Sequence, residues 1–267
     1  MSKIAQIIFT PWDKPYDFSF EEFDLLVGDS VVVKTELGTE VGRVVSIIDA
    51  KKVDDKEREI KPISRKVTTA DLNKVSDATK QKGPAIEYCR KATEKYGLGM
   101  KIVDCHFSFD GGRITFAFIA DGRVDFRQLV KDLTHHFQKS IRLHQIGIRD
   151  EAKMSGDFGT CGRKLCCKGF LNELGNITSE LAEQQQISHR GSDRLSGICG
   201  RLRCCLAYEK DLYDDLAKNL PAIGTVIKTK KGKGEVIGWH TLRQTVDLKL
   251  EGKDGNKGDI IEINPNE

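Results

Sequence analysis

The sequence has no long, uncharged apolar segment. A helix that spans a membrane needs about 20 consecutive apolar residues, and no stretch of the 267 residues approaches this. The apolar run at Ile4–Phe9 is shorter than the core of a signal peptide, and acidic residues soon follow it. We therefore predict no membrane insertion and no export, and a cytoplasmic location.

The sequence also has little excess charge of either sign. Its 43 lysine and arginine residues nearly balance 40 aspartate and glutamate residues. Proteins that an overall electrostatic field holds on nucleic acid carry a clear basic excess. Any contact with RNA or DNA would therefore be local, and whether this chain makes one stays open at this point.

Familiar signatures of catalysis are missing as well. The chain has no phosphate-binding glycine loop, no His-Glu-x-x-His and no Gly-x-Ser-x-Gly turn. We therefore predict that the protein is not an enzyme.

What the sequence does have is a duplicated cysteine motif, which holds six of the eight cysteines. The two copies match at the first cysteine, the glycine, the arginine and both final cysteines: Cys161-Gly162-Arg163-Lys164-Leu165-Cys166-Cys167 and Cys199-Gly200-Arg201-Leu202-Arg203-Cys204-Cys205. Cysteines of a protein that is not exported stay reduced, which favours metal binding over disulfides. We predict that all six motif cysteines are metal or cluster ligands.

The glycine and the arginine that the two copies share suit such a role. Gly162 and Gly200 allow backbone N–H groups to approach the sulfurs closely. Arg163 and Arg201 can lower thiol pKa values and offset the negative charge of a thiolate-bound cluster. We therefore predict that these four residues surround and support the ligands.

Three cysteines per copy are one ligand short of a site made of four thiolates. Three sources of further ligands are open: sharing of all six thiolates around a two-metal centre, recruitment of Cys89 or Cys105, and ligands from a partner protein. Recruitment is the weakest of the three, because Cys89 and Cys105 lie on predicted apolar faces, where a cysteine usually acts as a small hydrophobic residue. Zinc is the alternative to a cluster.

The predicted fold class is α+β, in four parts. Residues 1–75 form an N-terminal β-rich module and residues 76–154 a central ferredoxin-like α+β sandwich. Residues 155–220 form the cysteine-rich, cluster-binding segment, and residues 221–267 a small SH3-like β-barrel.

Predicted elements of the first part are strands at 4–9, 29–35 and 41–48, followed by a charged connector at 51–62. The tail has four predicted strands: Thr225–Thr229, Glu235–Trp239, Thr245–Leu250 and Ile260–Ile263.

In the central part, Pro84 is predicted to open a helix that Gly97 ends. A strand at 102–109, with Val103 and Cys105 on its apolar side, turns at 110–112 into a return strand. Asp125 is predicted to cap the next helix. A strand at 141–148 then completes an antiparallel sheet with helices on one face.

Together with the cysteine motifs, the segments Arg123–Arg127 and Ile146–Lys153 resemble the bacterial YaaT (RicT) family of sporulation and biofilm adaptors. The resemblance extends over residues 28–250. It implies an iron-sulfur regulatory subunit that joins small helical partner proteins in a ternary complex carrying two 4Fe-4S clusters. It further implies that partner thiolates complete the clusters, and that the complex regulates messenger RNA maturation by RNase Y and the development of spores, biofilms and competence.

A competing hypothesis is a zinc-stabilised regulatory protein that binds nucleic acid. In that case the six cysteines hold two zinc ions, and basic residues nearby contact phosphates. The residues concerned are Lys164, Lys168, Arg190, Arg194, Arg201 and Arg203.

Overall fold

A computed structural model of the chain describes residues 3–21, 24–49, 60–156, 158–171, 174–230, 232–250 and 259–265. It is a mixed α+β structure with two compact units, residues 1–154 and residues 155–267. Most of the predicted connector at 51–62 lies outside the described residues.

The first sheet belongs to unit 1. Its described strands are β1 (Lys3–Ile8), β2 (Tyr16–Phe20), β3 (Ser30–Thr35), β4 (Gly38–Asp49) and β5 (Ile63–Lys66). Neighbouring strands are antiparallel in the order β2-β1-β4-β3-β5. The two edge strands approach each other where the Ser19 N–H donates to the Lys61 carbonyl at 3.1 Å, so the sheet curls into a barrel-like module around a core that includes Ile7, Val33 and Val44.

Helix α1 (Thr69–Lys95) follows β5 and begins earlier than the sequence suggested. A capping box starts it: the Thr68 hydroxyl accepts from the Asp71 N–H, and the Asp71 carboxylate accepts from the Thr68 N–H. The prediction that Pro84 opens the helix is therefore wrong, because Pro84 lies inside it, with an exposed side chain. Gly97 follows the last turn with a φ of +60°, as expected of a glycine that ends a helix.

The predicted domain limit between residues 75 and 76 falls inside α1. The earlier helix start is marked by the capping box at Thr68, whose partner is Asp71 rather than the usual glutamate or glutamine.

The second sheet of unit 1 is mixed. It contains β6 (Lys101–Phe107), β7 (Arg113–Ile119) and β8 (Ser140–Gln145), in the order β6-β7-β8. The prediction of an antiparallel sheet is wrong for β8, which runs parallel to β7. The reason is the helix between them, α2 (Arg127–Phe137), which carries the chain back across the sheet.

Two predictions for the strands of this sheet need correction. A register shift between Ile102 and Asp104 turns Val103 away from the face that buries Ile102, Cys105 and Phe107. Such a bulge reverses the alternation of faces along the strand, from which the side of Val103 was predicted. The strand predicted at 141–148 ends at Gln145, and Ile148 begins α3 (Ile148–Ser155).

Asp125 lies one position before the N-cap of α2, which is Phe126. Its carboxylate accepts one backbone bond, from the Arg127 N–H at 3.2 Å, and forms an ion pair with the Arg127 guanidinium. The prediction that Asp125 is the capping residue is therefore wrong, although it does bind the first turn.

Unit 2 contains short helices followed by a second antiparallel sheet. The described helices are α4 (Ser179–Gln184), α5 (Ser192–Leu195), α6 (Cys204–Tyr208) and α7 (Lys210–Ala217). The strands are β9 (Val226–Thr229), β10 (Gly232–His240), β11 (Thr245–Leu250) and β12 (Ile260–Ile263), which pair in the order β12-β11-β10-β9. All four predicted strands of the tail are confirmed, while the ferredoxin-like and SH3-like assignments stay predictions.

Among the helices of the described residues, none combines the length and apolar character that crossing a membrane requires.

The capping box gives a test of the fold. We expect Thr68→Ala to lower the free energy of unfolding by about 1 kcal/mol, because the Asp71 N–H loses its acceptor. Thr69→Ala is the matched control, since Thr69 is exposed at the first helical position and alanine is the better helix former. Denaturant unfolding followed by circular dichroism measures both variants, and equal stability for the two would contradict the assigned helix start.

Candidate metal centre

The first cysteine motif folds as a tight loop that its own backbone closes. Phe158 and Lys164 form an isolated β-bridge across its base. Inside the bridge, the Gly159 N–H donates to the Arg163 carbonyl at 2.8 Å, and the Gly162 N–H donates to the Gly159 carbonyl at 2.9 Å. Gly162 has a φ of +76°, which a residue with a side chain adopts only with strain.

The second motif repeats this loop bond for bond. Ser196 and Leu202 form the bridge. The Gly197 N–H donates to the Arg201 carbonyl at 2.9 Å, and the Gly200 N–H donates to the Gly197 carbonyl at 3.0 Å. Gly200 has a φ of +71°. The sequence repeat is therefore also a repeat of backbone conformation.

One further glycine belongs to each loop, at a position that precedes the predicted motif. A Cβ atom on Gly159 would lie 3.5 Å from the sulfur of Cys161, and one on Gly197 would lie 3.7 Å from the sulfur of Cys199. Backbone thus passes directly beside the first sulfur of each motif. The repeated unit is better written Gly-x-Cys-Gly-Arg-x-x-Cys-Cys, and the equal spacing of Gly159 and Gly197 was the available signal.

The loops present most of their thiols at the surface. Cys161 is exposed, Cys167 is buried, and the remaining four are partly exposed: Cys166, Cys199, Cys204 and Cys205. Exposed, reduced thiols on glycine-shaped loops are a suitable donor set for a thiophilic metal or an iron-sulfur cluster.

The two copies lie next to each other. Burial raises the pKa of Cys205, and smaller contributions come from the Glu209 carboxylate and the thiolate of Cys166 in the other copy. Phe170 and Tyr208, which occupy equivalent positions just after the two motifs, contact each other edge to face with ring centroids 5.1 Å apart. The copies therefore face each other through equivalent residues.

Apolar packing and side-chain hydrogen bonds fix the second loop in place. Leu206, directly after the motif, packs on Leu181 and Ala182 of α4. The buried side-chain amide of Gln185 donates to the Leu206 carbonyl at 2.7 Å. The segment between the motifs is thus part of the scaffold that positions the second set of thiols.

The arginines lie where they can influence the site from outside. Arg163 and Arg201 are exposed, and their carbonyls close the two loops. The arginine whose charge lowers the pKa of Cys205 is Arg203, although burial has the larger and opposite effect. That Arg163 and Arg201 balance cluster charge stays a prediction.

The thiols do not form a finished metal site on their own. Within the described part of the chain, no group of three or more His, Cys, Asp or Glu side chains is arranged to hold a metal ion. Thiolates are suitable ligands for a cluster, but fewer of these side chains converge than a cluster needs. Ligands from outside the chain, or a rearrangement of the loops, would have to complete it.

The remaining two cysteines belong to a different environment. Cys89 and Cys105 are fully buried in the core of unit 1. Burial raises the pKa of each thiol to about 12. Their interpretation as small hydrophobic residues is confirmed.

Comparisons with known proteins identify two matching family models and a relative that covers most of the chain. The model described as the PSP1 C-terminal conserved region matches residues 61–146, and the model described as the third domain of PSP1-like proteins matches residues 176–220, which contain the second motif. The stage 0 sporulation protein YaaT of Bacillus subtilis is 38% identical over 252 residues, which cover 94% of this chain and 90% of that protein. An uncharacterized protein of Schizosaccharomyces pombe is 30% identical over 73 residues, 27% of this chain and 10% of that protein. No solved structure matches the chain.

The contrast between the two cysteine environments predicts thiol reactivity. In the reduced, metal-free protein, we expect iodoacetamide to modify Cys161 fastest and to leave Cys89 and Cys105 unmodified, because the thiolate is the reacting form and the core suppresses it. Cys167 should react slowly, since it is 7% exposed. Peptide mass spectrometry measures the order, and unfolded protein, in which all eight thiols react, is the control. Modification of Cys105 at the rate of Cys161 would contradict the assigned environments.

Proposed function

Because the chain belongs to the family of the stage 0 sporulation protein YaaT, we propose that it is a non-catalytic regulatory subunit that ligates iron-sulfur clusters through its two cysteine loops. The observation that carries the proposal is the repeated loop, with the same bridge, the same glycine conformation and three thiols in each copy. Cysteines that serve only to pack a core are buried, as Cys89 and Cys105 are in unit 1.

In this proposal the six motif cysteines are the ligands: Cys161, Cys166, Cys167, Cys199, Cys204 and Cys205. The cofactor is a pair of 4Fe-4S clusters, which would supply an anchor that responds to oxidants. Gly162 and Gly200 hold the loops in the conformation that presents the thiols, and Arg163 and Arg201 offset the anionic charge. Partner thiolates provide the ligands that each loop lacks.

The partners we propose are small helical proteins that assemble with this chain, and through them the endoribonuclease RNase Y. Apolar side chains that are exposed around the thiols supply a surface for such a contact: Phe158, Phe170, Ile198 and Tyr208. The assembly would act in the cytoplasm, where thiols remain reduced. Its role would be to regulate messenger RNA maturation and the development of spores, biofilms and competence.

A second candidate keeps the same ligands but a different metal. In it, zinc stabilises the loops and the protein binds nucleic acid through exposed basic residues near the thiols, such as Lys164, Arg190 and Arg194. The exposure of Phe170 and Tyr208 favours it, because aromatic rings beside basic side chains are suited to stacking with bases.

Anaerobic reconstitution separates the two candidates. We expect the full chain, supplied with ferrous iron and sulfide together with its co-expressed helical partners, to turn brown and to absorb near about 400 nm. Replacing the three cysteines of one motif with serine should remove roughly half of the bound iron, since one of two clusters is lost. Replacing all six should remove the colour and the assembly.

Cys89→Ala is the matched control, because it removes a cysteine outside the motifs. It should retain full colour and iron content. A colourless protein that contains stoichiometric zinc and binds RNA would favour the second candidate. Unchanged colour and assembly in the variant with six serines would exclude the motif cysteines as ligands.

A further inference from the structure

The second sheet of unit 1 has two faces of different character. One face packs against α1 and α2, in a core that contains Cys105 and Phe116 of the sheet and Leu129 of α2. On the other face, the buried ring of Trp12 covers an apolar area that includes Ala117 and Ile146.

Beyond Trp12, the side chains of this second face become polar and are exposed or partly exposed. We call the five side chains there the basic floor: His106, Arg113, Thr115, Arg142 and His144. They are neighbours in the strand register, since Thr115 is opposite His106 on β6 and opposite Arg142 on β8. A cavity of about 680 Å³ lies above the basic floor, within the size range of small-molecule sites.

Aromatic rings also line this cavity. They belong to Phe9, in the turn that follows β1, to Trp12, and to Tyr16 and Phe18 of β2, and we call these four residues the aromatic wall. Tyr16 lies 5.6 Å from Phe9 between ring centroids, and 50% of its surface is exposed. An exposed ring in contact with a second ring is a suitable platform for a planar ligand.

Most carboxylates that line the cavity have partners other than Arg142. Three of the four lining carboxylates are engaged: Glu40 contacts His106 at 2.9 Å, Glu36 contacts Lys61 at 3.7 Å, and Asp17 accepts from Gln6 at 3.2 Å. Among the residues that the structure describes, the side chains of Arg142 and His144 have neither an ion pair nor a hydrogen bond, and Asp13 is the one acidic side chain left unpaired in the lining.

From these observations we propose that this cavity binds a nucleoside phosphate, either a free nucleotide or one nucleotide of a single-stranded nucleic acid. The base stacks on Tyr16 of the aromatic wall, and the phosphate lies on the basic floor against Arg142 and His144. A phosphate without a base would leave the wall unused, and a cationic ligand would meet the unpaired guanidinium of Arg142. The site contains no motif cysteine, so the inference is independent of the proposed function.

Tryptophan fluorescence provides the test. Trp239→Phe leaves Trp12, beside the cavity, as the sole tryptophan of the full chain. In this background, adenosine or uridine monophosphate should change the fluorescence saturably, and isothermal calorimetry should give the same affinity. Adenosine, which lacks the phosphate, and ribose 5-phosphate, which lacks the base, should each bind at least tenfold more weakly.

Two variants locate the ligand. Arg142→Ala should weaken the binding of the monophosphate at least tenfold, whereas Arg123→Ala, which removes an exposed arginine outside the cavity lining, should change it less than twofold. Tyr16→Ala should weaken binding of the monophosphate but not of ribose 5-phosphate. If Arg142→Ala lowers the melting temperature, Arg142→Gln replaces it.

The source of the nucleotide follows from one comparison. A short single-stranded RNA that binds more tightly than the monophosphate, with the same dependence on Arg142, identifies a strand as the ligand; the reverse order identifies a free nucleotide. The proposal is overturned if neither ligand binds by either method. It is also overturned if Arg142→Ala and Arg123→Ala bind equally well, or if ribose 5-phosphate binds as tightly as the monophosphate.

Discussion

Each cysteine loop offers three thiols where a site closed by thiolates needs four ligands, and this shortage governs how unit 2 can work. The loops face each other through Phe170 and Tyr208, and Cys166 influences the pKa of Cys205. They nevertheless bring no group of three metal-binding side chains together among the described residues. Under the proposed function, a cluster is therefore stable only where a second protein supplies ligands, and metal binding becomes coupled to assembly.

The same residue type serves two purposes in this chain because the backbone around it differs. In the core of unit 1, Cys89 and Cys105 are enclosed by apolar side chains, and burial raises the pKa of both thiols to about 12. In the loops, Gly162 and Gly200 adopt a left-handed conformation that folds the chain back on itself, and five of the six motif thiols are exposed or partly exposed. A thiolate ligand needs the second environment, since the first stabilises the protonated thiol.

How much the sequence could predict depended on whether a residue's role was local. The turn at 110–112, the stop at Gly97 and the strands of the tail rest on local propensity and alternation, and they were predicted. Val103 was misplaced because a bulge depends on pairing with the neighbouring strand. The direction of β8 depends on the path of α2, which has no signature in the strand itself. The helix start at Thr68 does have a local signal, a capping box, but its third helical position is aspartate rather than glutamate or glutamine.

For the candidate site, the repeat predicted the ligands and the central glycines, while the proximity of the two copies depends on packing that joins α4 to Leu206 across the intervening segment. The cavity of unit 1 shows more clearly that a sequence motif cannot predict a site whose residues are far apart in the chain. Its basic floor comes from three strands and its aromatic wall from residues about a hundred positions earlier, so no window of sequence contains it. Arg142 in particular resembles any surface arginine until the fold shows that three of the four carboxylates in the cavity lining have other partners. A functional group left without a partner by its surroundings is a property of the folded chain, and only the folded chain can reveal it.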